Sequence, residues 1–224
     1  MKAVIAFSNK TEGRDKFCKA VQYGCRMLKA MVQNPEAEKR LNALFAVARD
    51  SRKVFRMGKS IHEVQTILDT VVNMNMDATS IGLQILARIS YLAYWIFDNL
   101  QLLASIQVIK RDAKWLGKNG MKAWLLGIIF SLILLIRKLQ INYTTETKKK
   151  ATITNPQILN QALDTLKQER FVTTLNLVKN IGDFLPAANG AGLPQAVLGK
   201  TFHEKWIGLG GLISALISCY QAWG

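Results

Sequence analysis

Along most of this chain apolar residues recur with the period of a helix rather than the two-residue alternation of a strand. Over residues 11–33, Phe17, Val21, Gly24, Cys25, Leu28 and Met31 fall on one face, and Lys16, Lys19, Gln22, Arg26, Lys29 and Gln33 on the other. Thr11 is placed to cap this helix, with Glu12 and Asp15 near the positive end of its dipole, and Asn34-Pro35 ends it. A second helix is expected over residues 36–58. In it Leu44, Val47, Ala48, Ser51, Val54 and Phe55 share one arc and Arg49, Arg52, Lys53 and Arg56 the opposite one, with Phe45 out of pattern. Ser60 can cap a third helix, which carries Ile61, Val64, Ile67, Leu68, Val71 and Val72 at helical spacing. Residues 1–85 thus read as amphipathic helices suited to a membrane surface and too polar to cross a bilayer.

Beyond them the pattern changes. Residues 89–109 hold a single charge, Asp98, over a length that can cross a hydrocarbon core. Ser90, Tyr91, Tyr94, Asp98, Gln101 and Ser105 form a polar stripe on that segment. An aspartate at bilayer centre costs about 2.5–3.5 kcal/mol, so the stripe should face protein, water or the interface. A basic connector leads to residues 123–136, the most apolar run, which is short for a span and suits a re-entrant or buried helix equally. The membrane-embedded part is drawn over residues 86–141, followed by a polar linker at 142–156. Asn155-Pro156 then starts an amphipathic helix that runs to about Ile181, and a Gly/Pro/Ala loop covers 182–200, within a segment drawn over 157–205. Residues 206–224 close the chain, and 206–223 carry no charge. There Gly211, Ala215 and Cys219 repeat at four, as do Gly210, Ser214 and Ser218, a spacing that lets helices pack closely in lipid. The fold class expected is all-α: an integral membrane protein with amphipathic helices first and an apolar helix last.

Charge sharpens this reading. The net charge is +15, yet half of the 224 residues are hydrophobic, and that apolar excess favours an anionic membrane over nucleic acid as the partner. The first 80 residues alone hold 14 basic and 8 acidic side chains. The three cysteines make no framework, because Cys18 and Cys25 are separated by roughly 10 Å of helical rise, beyond disulfide reach. No secretory signal is expected from the short apolar run at residues 3–7, and the final residues are not a peroxisomal tripeptide address.

Chemistry is sparse. His62 and His203 lack a second ligand at helical spacing, so no metal or other cofactor is expected. No phosphate loop or nucleophile elbow occurs, and Gly208, Gly210 and Gly211 lie inside an apolar run that suits helix packing. No enzyme activity is expected.

The stretch "TEGRDKFCKAVQYGCRML" (11–28) resembles the opening signature of the peroxisomal membrane peroxins of the peroxin-11 family, in Gly-Arg-Asp-Lys, Lys19, Gln22-Tyr23 and Arg26. "SRKVFRMGKS" (51–60) resembles its arginine-rich block, "DNLQLL" (98–103) its Asp-Asn segment, and "VKNIGDFLPAANGAGL" (178–193) with "GLGGLISALIS" (208–218) its closing blocks. The matches keep their order across nearly the whole chain. The resemblance implies an integral protein of the peroxisomal membrane, termini in the cytosol, that elongates the organelle and promotes its division. It further implies self-association, and cooperation with a dynamin-related GTPase and a tail-anchored fission adaptor. Some members are linked to passage of small metabolites. The 142–156 linker is short beside the Gly-rich insert of some relatives.

Together these readings give a wedge. Lys16, Lys19, Arg26 and Lys29, with Arg49, Arg52, Lys53, Arg56 and Lys59, would draw the first helices onto anionic phospholipid, and apolar residues such as Val54 and Phe55 would enter one leaflet and favour curvature. Gly210, Gly211, Ser214, Ala215, Ser218 and Cys219 would pack the last helix into homo-oligomers. The rival reading is a metabolite channel lined by Tyr94, Asp98, Gln101 and Ser105. Periodicity leaves open whether each apolar face meets lipid or a partner helix.

Overall fold

The computed structural model describes residues 1–72 and 77–223; residues 73–76 of the expected surface region, and Gly224, lie outside the described residues. All regular structure there is helical: α1 (Lys2–Asn9), α2 (Thr11–Lys29), α3 (Pro35–Phe55), α4 (Lys59–Val72), α5 (Ala78–Ser105), α6 (Ala113–Thr152), α7 (Pro156–Ala191), α8 (Leu193–Leu198) and α9 (Glu204–Trp223). Short polar residues punctuate the chain as expected of helix starts. Asn34, Asp77, Asp112 and Asn155 each accept backbone N–H groups at the start of α3, α5, α6 and α7, and Pro35 and Pro156 occupy first turns. Thr11 is no cap: α1 precedes α2 with only extended Lys10 between them, and the Arg14 N–H bonds the Lys10 carbonyl.

Two segments expected to be irregular are helical. The 142–156 linker continues α6 as far as Thr152, because Asn142 donates to the Leu166 carbonyl and Glu146 pairs with both Lys150 and Arg170. The Gly/Pro/Ala loop likewise continues α7 to Ala191, since Gly182, Pro186, Ala187 and Ala188 are buried. Ala187 and Ala188 pack with Leu125 and Ile128 of α6, and this burial overrides the weak helix preference of Gly182 and Pro186. Gly192, at φ +82°, then ends α7.

Six helices form a ring in the order α2, α3, α5, α6, α7, α9, each touching two neighbours. Side chains also reach past a neighbour, Lys19 of α2 to Asp183 of α7 and Tyr91 of α5 to Asn180 of α7. Neighbours run antiparallel all the way round: Tyr23 meets Gly211 while Met27 meets Gly208, and Gly120 meets Phe97 while Gly127 meets Tyr91. α4 packs outside the ring, on α5. The last helix is held between α2 and α7. A methyl group at Gly210 would lie 2.8 Å from the Gly182 carbonyl oxygen. That carbonyl is the one deprived of its helical donor by Pro186, four residues on. The chain ends also meet, with the Phe7 and Trp223 rings 5.1 Å apart and Lys10 bonded to the Ala222 carbonyl.

Candidate functional site

The ring surrounds an open cavity of about 890 Å³ lined from all six of its helices and by Lys59 and Glu63 of α4. Many charged side chains stand in its wall among apolar ones, because the amphipathic helices turn their charged faces inward. Phe17 on α2, Val47 and Val54 on α3, Ile61 and Leu68 on α4, and Phe171 and Ile181 on α7 all point out, Ile61 being 75% exposed. The protein is thus apolar outside and charged within, the reverse of a water-soluble bundle.

Helix α3 supplies the key cations. Arg52 donates to Asp15 Oδ1 at 3.1 Å and to Gln22 Oε1 at 2.6 Å, tying α3 to α2. One turn later Arg56 donates to the Tyr94 hydroxyl at 3.0 Å and to Asp98 Oδ1 at 3.2 Å, tying α3 to α5. Lys53 reinforces that seam by donating to Gln101 Oε1 at 3.2 Å. On the far side Lys19 donates to both carboxylate oxygens of Asp183 and to Ser214 Oγ, joining α2, α7 and α9. Lys59 pairs with Glu12 and lies 5.3 Å from the Trp95 ring centroid, with Arg56 at 5.6 Å from the same ring.

Burial opposes ionisation of Asp15, but Arg52 and Lys16 outweigh it and hold the carboxyl well below the usual carboxylate range. Burial also pushes the Lys53 and Lys59 ammonium groups down, with Asp98 and Glu12 opposing that shift. Close pairing is the condition for charges in such surroundings, since removing one partner leaves the other desolvated and alone.

The predicted site residues are rearranged by this geometry. Lys19, Arg52 and Arg56, expected on a solvated arc, are buried inside the ring and paired, because their partners Asp183, Asp15 and Asp98 lie on other helices of the same chain. Lys16, Lys53 and Lys59 also line the cavity. Arg26 pairs with Glu204, Arg49 is exposed and pairs with Asp50, and Lys29 is half-buried. Val54 is exposed and Phe55 half-buried. Tyr94, Asp98 and Gln101 do line a shared cavity, whereas Ser105 is exposed and bonds back to the Leu102 carbonyl. Gly210, Gly211, Ser214, Ala215 and Ser218 are buried within the chain against α2 and α7, and Cys219 is half-buried. That stripe is therefore occupied by the protein's own helices. Pattern reading missed α7's contribution, Asn176, Lys179, Asn180 and Asp183. Their i, i+3, i+4, i+7 spacing was the available signal. Among the described residues no cluster of metal-ligating side chains occurs.

These features define an all-helical membrane protein. Three of its helices, α5, α6 and α9, are long and apolar enough to cross a bilayer. The family model for Peroxisomal biogenesis factor 11 (PEX11) matches residues 1–223. The chain belongs to this family of peroxisomal membrane proteins. It is 27% identical to the Peroxisomal membrane protein 11 homolog of Dictyostelium discoideum, over 100% of this chain and 94% of the relative. It is 25% identical to Peroxisomal membrane protein 11A of Mus musculus, over 96% and 94% of the two chains. With Peroxisomal membrane protein 11E of Arabidopsis thaliana it shares 26% identity over 97% and 90%. No solved structure matches the chain.

Proposed function

We propose that this protein resides in the peroxisomal membrane and curves it, so that the organelle elongates and divides. The observation that carries this reading is the one-sided mounting of α4. It packs along α5, is tied to α2 through Lys59 and Glu12 at its first residue, and turns Ile61, Val64, Leu68, Val71 and Val72 outward. These residues form an apolar shelf on the outside of the ring, and Leu44, Val47 and Val54 of α3 add further exposed apolar surface. Burying such a shelf in one leaflet stabilises by roughly 25 cal/mol per Å² of apolar surface and expands that leaflet relative to the other. Anionic headgroups are met by cations that remain outside, among them Arg14, Lys39 and Arg40, rather than by Lys19, Arg52 or Arg56. The helix-packing stripe of α9 being filled, self-association would use another surface. A dynamin-related GTPase and a tail-anchored adaptor are the partners the family likeness suggests.

The test is reconstitution of the full chain into vesicles containing acidic phospholipid, imaged as the protein-to-lipid ratio rises. Tubules are expected with the wild type. Ile61→Asp/Leu68→Asp, on side chains that hold nothing together inside the protein, should abolish them without unfolding it. Tubules undiminished by that double substitution would refute the shelf as the curving element.

The cavity favours a second reading, passage of small polar metabolites through the ring. Conductance of the purified chain in planar bilayers, changed by Asp98→Leu, is its expected sign.

A further inference from the structure

Where α5 gives way to α6 the chain makes a short, fixed turn. The N–H groups of Val108 and Ile109 both bond the Leu103 carbonyl, the Arg111 N–H bonds the Ile109 carbonyl, and Gln107 adopts a φ of +62°. An open cleft of about 690 Å³ lies at this turn and shares no lining residue with the ring cavity. Its walls are apolar, with Phe97 and Leu100 from α5 and Trp115 and Leu116 from α6. The Phe97 and Trp115 rings meet edge-on, 6.1 Å apart. Lys110, Arg111 and Asp112 line the same cleft. Asp112 turns Oδ1 to the Lys114 and Trp115 N–H groups at the start of α6. Lys110 and Arg111 are exposed, and among the described residues neither side chain has a hydrogen bond or an ion pair.

Consecutive residues have Cα atoms about 3.8 Å apart. Two consecutive cations that line one cleft are therefore both within reach of a single anion. Position selects the class of that anion. α5 and α6 are each long and apolar enough to cross a bilayer, so the turn that joins them lies at headgroup depth. Ile106, Val108 and Trp115 stand exposed around it, and tryptophan is favoured at that depth. We propose that this cleft binds an anionic phospholipid, its phosphate on Lys110 and Arg111 and the upper part of its acyl chains along Phe97, Leu100 and Trp115. Basic pockets between membrane helices are a recurrent form of such sites. The leaflet follows from α5, whose 28 residues rise about 42 Å, more than the roughly 30 Å of a hydrocarbon core. α4 bonds the first part of α5, at Gln84 and Arg88, and the turn with its cations lies beyond the last residue of α5. The bound lipid thus belongs to the leaflet opposite the apolar shelf, and the protein grips both leaflets at once. This site rests on residence in a membrane and not on curvature, so lipid retention is read separately from tubulation.

The test places the purified full chain in nanodiscs of phosphatidylcholine with a minor share of phosphatidylglycerol or of phosphatidic acid. Lipid that stays bound after release is measured by native mass spectrometry. Lys110→Gln/Arg111→Gln removes both cations and leaves no carboxylate orphaned, so the fold should persist, as checked by circular dichroism. Lys110→Arg/Arg111→Lys keeps the charge. Lys148→Gln/Lys149→Gln removes the same charge at the other end of α6 and is the control. Wild type should retain the anionic lipids in preference to phosphatidylcholine, and Lys110→Gln/Arg111→Gln should weaken that retention at least tenfold. The charge-keeping variant and the control should stay within twofold of wild type. Retention of both anionic lipids would assign the site to net negative charge, and of phosphatidic acid alone to a phosphate monoester. No preference for either over phosphatidylcholine would overturn the site. So would retention by Lys110→Gln/Arg111→Gln within twofold of wild type, or an equal loss in the control. Lost tubulation with lipid retention intact would sink the curvature reading and leave this site standing.

Discussion

The seam between α3 and α5 closes the ring, and it rests on few side chains. Arg56 and Asp98 are its centre: their side chains are 8% and 7% exposed, and Arg56 Nη2 lies 3.0 Å from Asp98 Oδ2. Replacing Asp98 by leucine leaves a guanidinium with only the Tyr94 hydroxyl and the Arg52 carbonyl. Breaking a buried pair by removing one partner costs about 3–5 kcal/mol, because the remaining charge stays desolvated. At roughly 2–4 °C per kcal/mol for a chain of this size, Asp98→Leu should lower the thermal midpoint by on the order of 10 °C. Replacing both partners, as Arg56→Leu/Asp98→Leu, removes the orphan, so the double variant should be more stable than Asp98→Leu alone. The assay is scanning fluorimetry of the full chain in one detergent, with the four proteins of the cycle compared side by side. A midpoint for Asp98→Leu within 1–2 °C of wild type would refute the reasoning, as would strictly additive effects, since contacting residues should couple by about 0.5–3 kcal/mol.

Other consequences are as direct. Gly182→Leu or Gly210→Leu should prise α7 from α9 and lower the thermal midpoint, whereas Gly58→Asn, at φ +80° with open space around it, should have little effect. Because the pKa of Asp15 is depressed in the fold, its contribution to stability is present above the ordinary carboxylate value of about 4 and lost as the pH falls below it. Asp15→Asn should therefore flatten the pH dependence of the midpoint in that acid range while lowering the midpoint at pH 7. Glu146→Gln, which weakens the pairing with Arg170 across the α6–α7 hairpin, should speed proteolysis near residues 150–156 and leave the ring intact.

The amphipathic helices were legible in the sequence, and their facing was not. A 3.6-residue period separates two faces of α2 or α3 without saying which one meets the rest of the protein. In water the apolar face goes inward. Here lipid can take that face, and Arg52 and Arg56 turn inward to Asp15, Asp98 and Tyr94, partners 37–42 residues distant along the chain. No local pattern announces such pairs. The same logic hid the inward face of α7, a helix the pattern did predict, because Asn176, Lys179 and Asp183 dilute the apolar signal of Phe171, Val178 and Ile181. The small-residue stripe of α9 was readable as a packing face because spacing alone defines it. Its partners were not readable: α2 and α7 fill it within one chain. The linker and loop failed for a third reason, since composition argued for turns and burial of Ala187, Ala188 and Asn142 against neighbouring helices decided otherwise.

The contact between Phe7 and Trp223 bears on topology. If the touching chain ends leave the bilayer on the same side, the thread between them makes an even number of passes. If α5, α6 and α9 all cross, an odd total results, and one further helix must make the journey. α7 is placed to do so: it lies between α6 and α9 in both sequence and space and runs opposite to each. Counting passes from hydropathy alone would then give the wrong parity, and with it the wrong side for every loop after α6.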